Sequence, residues 1–147
     1  MNKRLIKTAG LVLLILVAVV FWGKWLLDLF GVIKYDLPLS QSTQNIVQVD
    51  LLDSRGPDFI VLRSVTGEEL DLFIVDIMEI EVDRYVNDPQ VTYDERTVKI
   101  CYADGGYDLL GGMVEFFNSS GERLPVGGWF HISPDDVQTL FNSYGAE

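Results

Sequence analysis

The 147-residue sequence has few of the side chains from which most catalytic and metal sites are built, with one cysteine, Cys101, and one histidine, His131. One histidine excludes the metal and catalytic schemes that need two or more imidazoles. One cysteine excludes a disulfide within the chain. No Gly-x-Ser-x-Gly motif occurs, so a serine on a strained hydrolase elbow is excluded as well.

Basic residues are scarce beyond the first 34 positions. Residues 35–147 hold 21 acidic and 6 basic residues, which gives this part of the chain a formal charge of −15. Such a surface repels nucleic-acid phosphates and anionic lipid head groups, so we expect no nucleic-acid partner. The same field favours cationic partners such as basic proteins, divalent metals or polyamines, although an acidic excess also serves solubility alone.

Charge is absent from residues 8–22, which form an apolar run near the N-terminus. A membrane-spanning helix needs roughly 20 apolar residues, so this run is short. The apolar stems of Lys7 and Lys24 extend it by letting their ammonium groups reach the two head-group layers, which predicts a span over 5–27. Trp22 and Trp25 would then lie at the far interface. The residues that we assign to the anchor are Lys7, Leu11, Leu14, Val19, Trp22, Lys24 and Trp25.

A cleaved signal peptide shares the basic start and apolar middle of this segment, and it is the alternative to a retained anchor. Cleavage needs small residues three positions and one position before the cut. A cut after Gly23 would put Phe21 at the first of these, and a cut after Gly31 would put Leu29 there. Both sites are poor, so we expect the anchor to be retained.

The basic residues around the span predict its orientation. Three of them, Lys3, Arg4 and Lys7, precede the apolar run with the α-amine, whereas Lys24 and Lys34 follow the run together with acidic residues. The positive-inside rule therefore places the N-terminus in the cytoplasm and the remaining chain outside the cell membrane. An exported domain without a disulfide is more typical of a bacterial protein than of a eukaryotic secreted one.

The pattern of apolar residues divides the chain into a cytoplasmic tip and anchor (1–34), a linker (35–45) and a domain (46–147). Alternation and turn residues predict six strands, at 46–52, 59–63, 80–86, 96–102, 107–117 and 128–132. The fifth and longest of these, the return strand 107–117, should carry a bulge or bend at Gly111 and Gly112. The order β-β-α-β-β-β-β-α predicts an α+β domain with a mainly antiparallel sheet and its helices on one face.

Two helices are expected in this domain. Thr66 and Glu69 match a capping box, and the apolar residues that follow step at helical spacing over 67–79. Ser133 is a good N-cap for a second helix, because Pro134 then takes the first helical position.

A cluster of four acidic residues lies where the first helix meets the next strand: Asp76, Glu79, Glu81 and Asp83. Carboxylates that converge from a helix end and a strand could hold Ca²⁺, which takes about six to eight oxygen ligands. Their spacing matches no loop that wraps one ion, however, and Glu81 and Asp83 also fit the wet face of an amphipathic strand. The solvated face is the favoured interpretation, and these four residues are the candidate metal ligands if it fails.

Trp129 and His131 share one face of the last strand, whereas Phe130 and Ile132 share the other. Burial of Trp129 under a helix is the favoured orientation, because large aromatic side chains dominate cores. In the opposite orientation Trp129 and His131 form an exposed strip and are the candidate binding residues. Cys101 and His131 are a formal nucleophile and base, but a lone cysteine behaves most often as a small apolar residue.

Together these patterns predict a single-pass membrane protein that presents a small acidic domain outside the cell and binds a protein or envelope component there, or serves as an accessory subunit. They predict no enzyme and no cofactor, with the lipid bilayer and an extracytoplasmic protein as partners. The alternative is a small cell-envelope enzyme or Ca²⁺-binding domain that uses the carboxylate cluster.

Overall fold

The computed structural model describes residues 3–29, 33–85, 95–125 and 128–145, with side chains from residue 10 to residue 27 in the first of these ranges. The first element is a helix, α1, over Lys3–Leu29. Its 18-residue window Gly10–Leu27 has a mean hydropathy of 2.3 and no buried residue. A helix of 27 residues is about 40 Å long. It is long and apolar enough to cross a membrane.

The rest of the described chain is an α+β domain, which confirms the predicted fold class. Its strands are β1 (Lys34–Asp36), β2 (Ile46–Asp53), β3 (Ile60–Val65), β4 (Glu81–Tyr85), β5 (Arg96–Tyr102), β6 (Tyr107–Gly111), β7 (Met113–Phe117) and β8 (Trp129–His131). They form one sheet in the order β1-β4-β8-β7-β6-β5-β2-β3, with every pairing antiparallel. Two helices, α2 (Glu68–Met78) and α3 (Pro134–Ser143), complete the domain.

One face of this sheet is apolar, because alternate residues of each strand point to the same side. Val82 of β4 and Val65 of β3 are both fully buried in one cluster, although these strands lie near opposite ends of the strand order. The buried apolar face is therefore continuous from β4 to β3.

The two helices cover this inner face with the apolar stripes predicted from their spacing. Leu70, Phe73 and Ile77 of α2 are buried, as are Val137, Leu140 and Phe141 of α3. The helices meet where the rings of Phe73 and Tyr144 pack with centroids 4.8 Å apart. Burial of a large apolar side chain contributes about 1.5–3 kcal/mol, so these stripes account for much of the domain's stability.

The start of α3 agrees with its sequence signals, but the start of α2 does not. The Ser133 side chain accepts a hydrogen bond from the Asp135 amide. The capping box predicted at Thr66 is wrong, because Gly67 occupies the N-cap position with φ 65° and no side-chain cap. Glu69 instead accepts two hydrogen bonds from Arg63 of β3, at 2.7 and 2.9 Å. A charged partner on the preceding strand has taken the carboxylate that a local cap would have used.

The single return strand predicted over 107–117 is also wrong. The chain reverses at Gly112, so that Gly111 and Met113 face each other and β6 and β7 form a hairpin. Gly112 has a φ of 81°, in the left-handed region that side chains disfavour. Two neighbouring glycines therefore allowed a complete reversal where we expected a bulge.

The junction between α1 and the domain is shorter than the predicted linker indicates. Four residues, 30–33, separate Leu29 at the end of α1 from Lys34 at the start of β1. β1 pairs with β4 through three residues, and the Leu37 amide continues the ladder to the Ile80 carbonyl at 3.3 Å. The part of the predicted linker beyond Asp36 runs along the sheet to a short 3₁₀ turn at Thr43–Asn45.

Replacement of Gly112 by alanine should destabilise the domain by about 1–2 kcal/mol, because the added Cβ clashes in the left-handed conformation. Gly56→Ala is the matched control, since Gly56 does not have positive φ and an added Cβ there would come no closer than 3.8 Å to another atom. Thermal unfolding of the detergent-solubilised chain, followed by circular dichroism, measures both. Equal stability of the two variants would contradict the reversal at Gly112.

Candidate functional site

The four predicted acidic residues lie around one open cleft of about 410 Å³ at the β1–β4–β8 end of the sheet. Asp76 and Glu79 come from the end of α2, and Glu81 and Asp83 from β4. The other residues that line the cleft are Lys34, Ile80, His131, Ser133 and Asp136. The cleft forms because α2 leads directly into β4, while the start of α3 follows β8, the neighbour of β4.

Two of these carboxylates already have partners. Asp83 accepts a hydrogen bond from the Lys34 ammonium at 2.7 Å, and this bond raises the lysine pKa. Asp76 accepts one from the Tyr144 hydroxyl, also at 2.7 Å. Burial, followed by this bond to a carboxylate, raises the pKa of Tyr144 to about 12. The cleft therefore ties β1 to β4 and α2 to α3.

A metal centre is not assembled by the described residues. Within residues 10–27, 33–85, 95–125 and 128–145, no three His, Cys, Asp or Glu side chains are placed to hold one ion. Asp76, Glu79 and Glu81 are exposed to solvent. The carboxylates thus share a cleft without forming a ligand set.

Trp129 is not buried under a helix, so the favoured orientation of the last strand is wrong. Ile132 is fully buried and Phe130 packs against the core, and Trp129 and His131 therefore lie on the outer face of the sheet. Both are partly buried there. Burial of apolar side chains in the core determines this orientation, because Ile132 and Phe130 can be buried together only if Trp129 points outward.

His131 lies between the acidic cleft and an aromatic side chain. It pairs across the strands with Asp83, and its ring meets that of Tyr85 edge-on at 6.1 Å. Its Nδ1 atom is buried with no hydrogen-bond partner among the described residues. The only histidine of the chain is therefore held by packing at one wall of the cleft.

Next to Trp129 the structure contains an ion pair that the sequence analysis missed. Glu115 of β7 is 7% exposed, and its carboxylate lies 3.0 Å from the Arg123 guanidinium. Arg123 also lies over the Trp129 ring, at 5.2 Å from its centroid. Burial raises the pKa of Glu115, and the nearby guanidinium opposes this shift. The alternation of β7 already put Glu115 on the outer face, but only the fold shows that face to be covered here.

A second buried carboxylate, Asp108, was missed although its position carried a signal. It lies two residues before Leu110 on β6. Residues two apart on a strand share a face, so Asp108 is on the apolar inner face. It is 0% exposed and accepts hydrogen bonds from the Ser40 amide, at 2.9 Å, and from the Tyr102 hydroxyl. Burial raises the pKa of Asp108 despite these two bonds, which favour its charged form. Its other oxygen has no partner among the described residues.

Cys101 lies on the outer face of β5 and is partly buried. Its thiol is 3.8 Å from the Asp50 carboxylate, which also accepts hydrogen bonds at 2.6 Å from Gln48 and from Ser64. Burial raises the thiol pKa, with a further contribution from the charge of Asp50. This environment opposes the thiolate that a nucleophile would need.

The predicted anchor residues all fall within α1. The side chains of Leu11, Leu14, Val19, Trp22, Lys24 and Trp25 are exposed, as a lipid-facing surface requires. The rings of Trp22 and Trp25 meet edge-on at 6.1 Å. Lys7 belongs to the helix, but its side chain lies outside the described part of the chain.

Asp108→Asn should raise the melting temperature at pH 7 by about 4 °C, or about 1 kcal/mol, because it removes a buried charge. The folded-state pKa of Asp108 lies above its unfolded value, so its protonation favours the folded state. Stability is therefore lost as pH rises through the folded pKa, and the advantage of the variant should shrink as pH falls towards 4. Thermal melts of the variant and the wild type at pH 7 and at pH 4 measure this difference in stability.

Asp104→Asn, in the same hairpin, is the control, and its effect on stability at pH 7 should have the opposite sign. Asp104 accepts hydrogen bonds from the Gln41 side chain and the Gly106 amide, which lower its pKa. This variant should therefore be less stable than the wild type at pH 7. An Asp108→Asn variant that is less stable than the wild type at pH 7 would contradict the role assigned to burial.

Comparisons with protein-family models, with curated proteins and with solved structures found no match for this chain.

Proposed function

We propose that this chain is a single-pass membrane protein that holds its acidic domain directly against the outer surface of the cell membrane and binds a protein or envelope component there. The observation that carries this proposal is the junction between α1 and β1. Four residues separate an exposed apolar helix from the first strand of a folded sheet. Fully extended, that connection spans at most about 17 Å.

The orientation of this arrangement follows from the flanking charges. Lys3, Arg4 and Lys7 precede the apolar window, and the −15 charge of residues 35–147 follows it. Basic residues near the ends of a span favour the cytoplasmic side. We therefore place the N-terminus in the cytoplasm and the domain outside.

Binding without catalysis is supported by the separation of the two most reactive side chains. Cys101 is on β5 and His131 on β8, with β6 and β7 between them. Three strand spacings amount to about 14 Å, too far for one to accept a proton from the other. The raised pKa of the Cys101 thiol opposes its ionisation as well.

The chemistry of the partner is inferred from charge and position. The acidic cleft includes Lys34 and Asp83, on the two strands nearest to the junction, so it lies within reach of the membrane surface. The strongly negative domain attracts cations and repels anionic head groups. A basic segment of a second envelope protein, held near the membrane, fits this arrangement best.

A second candidate, a Ca²⁺-binding domain or a carboxylate-based enzyme, has one observation in its favour. Asp76, Glu79, Glu81, Asp83 and Asp136 all line the same cleft. The candidate is weaker because the described carboxylates do not form a ligand set.

Thiol labelling of intact cells tests the orientation. Ser119→Cys, in an exposed turn and combined with Cys101→Ser, should react with a membrane-impermeant maleimide before lysis. Asn2→Cys in the same background is the control and should react only after lysis. If only the Asn2→Cys chain were labelled in intact cells, the orientation would be the reverse of the one proposed. If neither chain were labelled before lysis, the domain would lie inside.

Titration of the detergent-solubilised chain with a lysine-rich peptide at low salt tests the partner class. Glu79→Gln with Glu81→Gln should weaken binding about fivefold, since it removes two exposed ion pairs that contribute about 0.5 kcal/mol each. Glu68→Gln with Asp71→Asn removes the same charge from the exposed side of α2 and should weaken binding less than about twofold.

Equal loss in the two double variants would mean that the overall charge, and not the cleft, attracts the peptide. The same preparations distinguish the second candidate, because a ligand that binds the folded state raises its melting temperature. A higher melting temperature in Ca²⁺ than in EDTA, lost in the Glu79 and Glu81 double variant, would favour an ion site over a peptide site.

A further inference from the structure

The β3 end of the sheet exposes an unusual amount of apolar surface for so acidic a domain. Phe59 and the first three residues of β3 keep about half of their surface in solvent: Phe59 (46%), Ile60 (61%), Val61 (54%) and Leu62 (44%). β3 is last in the strand order, so its outer edge pairs with no other strand of the described chain. Contiguous apolar surface on a sheet edge is typical of an interaction site.

The apolar side chains leave the strand on both faces of the sheet. Ile60 faces Asp53 of β2 and Val61 faces Leu52, so these two side chains point to opposite sides. The register shifts between Leu51 and Leu52, where Leu62 forms a bulge. The bulge limits the length of a regular ladder, so a partner at this edge would be held mainly by side-chain packing.

We propose that a second copy of this chain covers the β3 edge, with the two strands antiparallel about a two-fold axis near Val61. The charges that flank the apolar run are the reason for choosing a second copy as the partner. Asp58 precedes the run and Arg63 ends it, and antiparallel pairing brings Asp58 of each copy next to Arg63 of the other. A run that is acidic at one end, apolar in the middle and basic at the other end is complementary to itself in this orientation alone.

Both charged groups can reach such a partner. Asp58 is exposed, and the Arg63 side chain is 37% exposed. Arg63 donates to Glu69 through Nη2, at 2.7 and 2.9 Å, and a guanidinium carries five N–H donors on three nitrogens. It can therefore keep the contact with α2 and bind a second carboxylate.

The charge of the whole domain does not prevent this contact, because the β3 end carries few uncompensated charges. Asp53 pairs with Arg55 in the turn before β3, Asp58 and Arg63 carry opposite charges, and Glu69 beside Arg63 leaves one net negative charge. The densest acidic cluster lies instead in the cleft beside β4. Screening at physiological salt acts over about 8 Å, so these local charges govern the contact.

The anchor favours such a pair because it confines both copies to one membrane. This step rests on the membrane location in the proposed function. Two anchored copies share one plane and present the same side to the bilayer, which raises their effective concentration. A two-fold axis along the membrane normal preserves this arrangement and makes the interface isologous, with each copy using the same patch.

Disulfide trapping in the full-length chain tests the interface. Val61→Cys, in a Cys101→Ser background, should form a dimer of twice the 16.6 kDa chain mass on a non-reducing gel after mild oxidation in the membrane. Leu72→Cys in the same background is the matched control, since Leu72 is exposed and apolar (65%) but lies on α2. Equal yields from the two positions would overturn the proposal.

Charge variants then test the antiparallel arrangement. Adding Asp58→Arg to the Val61→Cys chain should reduce its dimer yield about fivefold, because each Arg63 then meets an arginine. Adding Arg63→Asp as well restores opposite charges and should recover the yield. Melting temperatures of both chains show whether they fold, and a folded Asp58→Arg chain with an unchanged dimer yield would overturn the arrangement.

The failure of this proposal can be distinguished from a failure of the membrane location. The maleimide experiment reports the side of the membrane whether or not the chains pair. Trapping of Val61→Cys in detergent micelles, at matched protein concentration, reports pairing whether or not the domain lies outside. Absence of the dimer in both membranes and micelles counts against the interface alone.

Discussion

The burial of a single apolar face determines most of this structure. Eight strands contribute alternate residues to one side of the sheet, and α2 and α3 close that side. Because a strand presents its side chains alternately, burial of one set commits the other set to the outside. Trp129 and His131 lie on the outer face for this reason, since Ile132 is in the core. The one apolar cluster includes residues of both β4 and β3, although five strands separate them in the sheet.

The extent to which the fold could be predicted depends on how local each signal was. The apolar stripes of α2 and α3, the cap at Ser133 and the strand β5 follow from residues a few positions apart, and these predictions are confirmed. The capping box failed because Arg63, on another element, took the Glu69 carboxylate. β1 was missed because a strand of three residues has no period to detect, and it is stabilised by pairing with β4, 45 residues or more away along the chain.

The candidate site shows the same limit. Asp76, Glu79, Glu81 and Asp83 were recognisable as an acidic series, but the cleft also needs His131 and Asp136, which only the sheet order and α3 bring there. Glu115 and Asp108 are buried for different reasons. Asp108 lies two residues before Leu110 and therefore shares its face, so its place on the inner face could have been anticipated from sequence. Glu115 lies on the outer face and is covered by a segment, around Arg123, whose return along β7 has no local signature.

The short junction between α1 and β1 also determines how the domain bears mechanical load. Any pull on α1 enters the fold at Lys34, the first residue of a three-residue strand at the edge of the sheet. A strand pulled from one end separates from its neighbour one contact at a time, so the Lys34–Asp83 ion pair would break first and the Tyr35–Val82 pairing next. The next contacts to resist are the Leu37 hydrogen bond to Ile80 and the Ser40 hydrogen bond to Asp108. Asp108 lies within the core, so tension on α1 is transmitted through residues 37–40 to the interior of the domain.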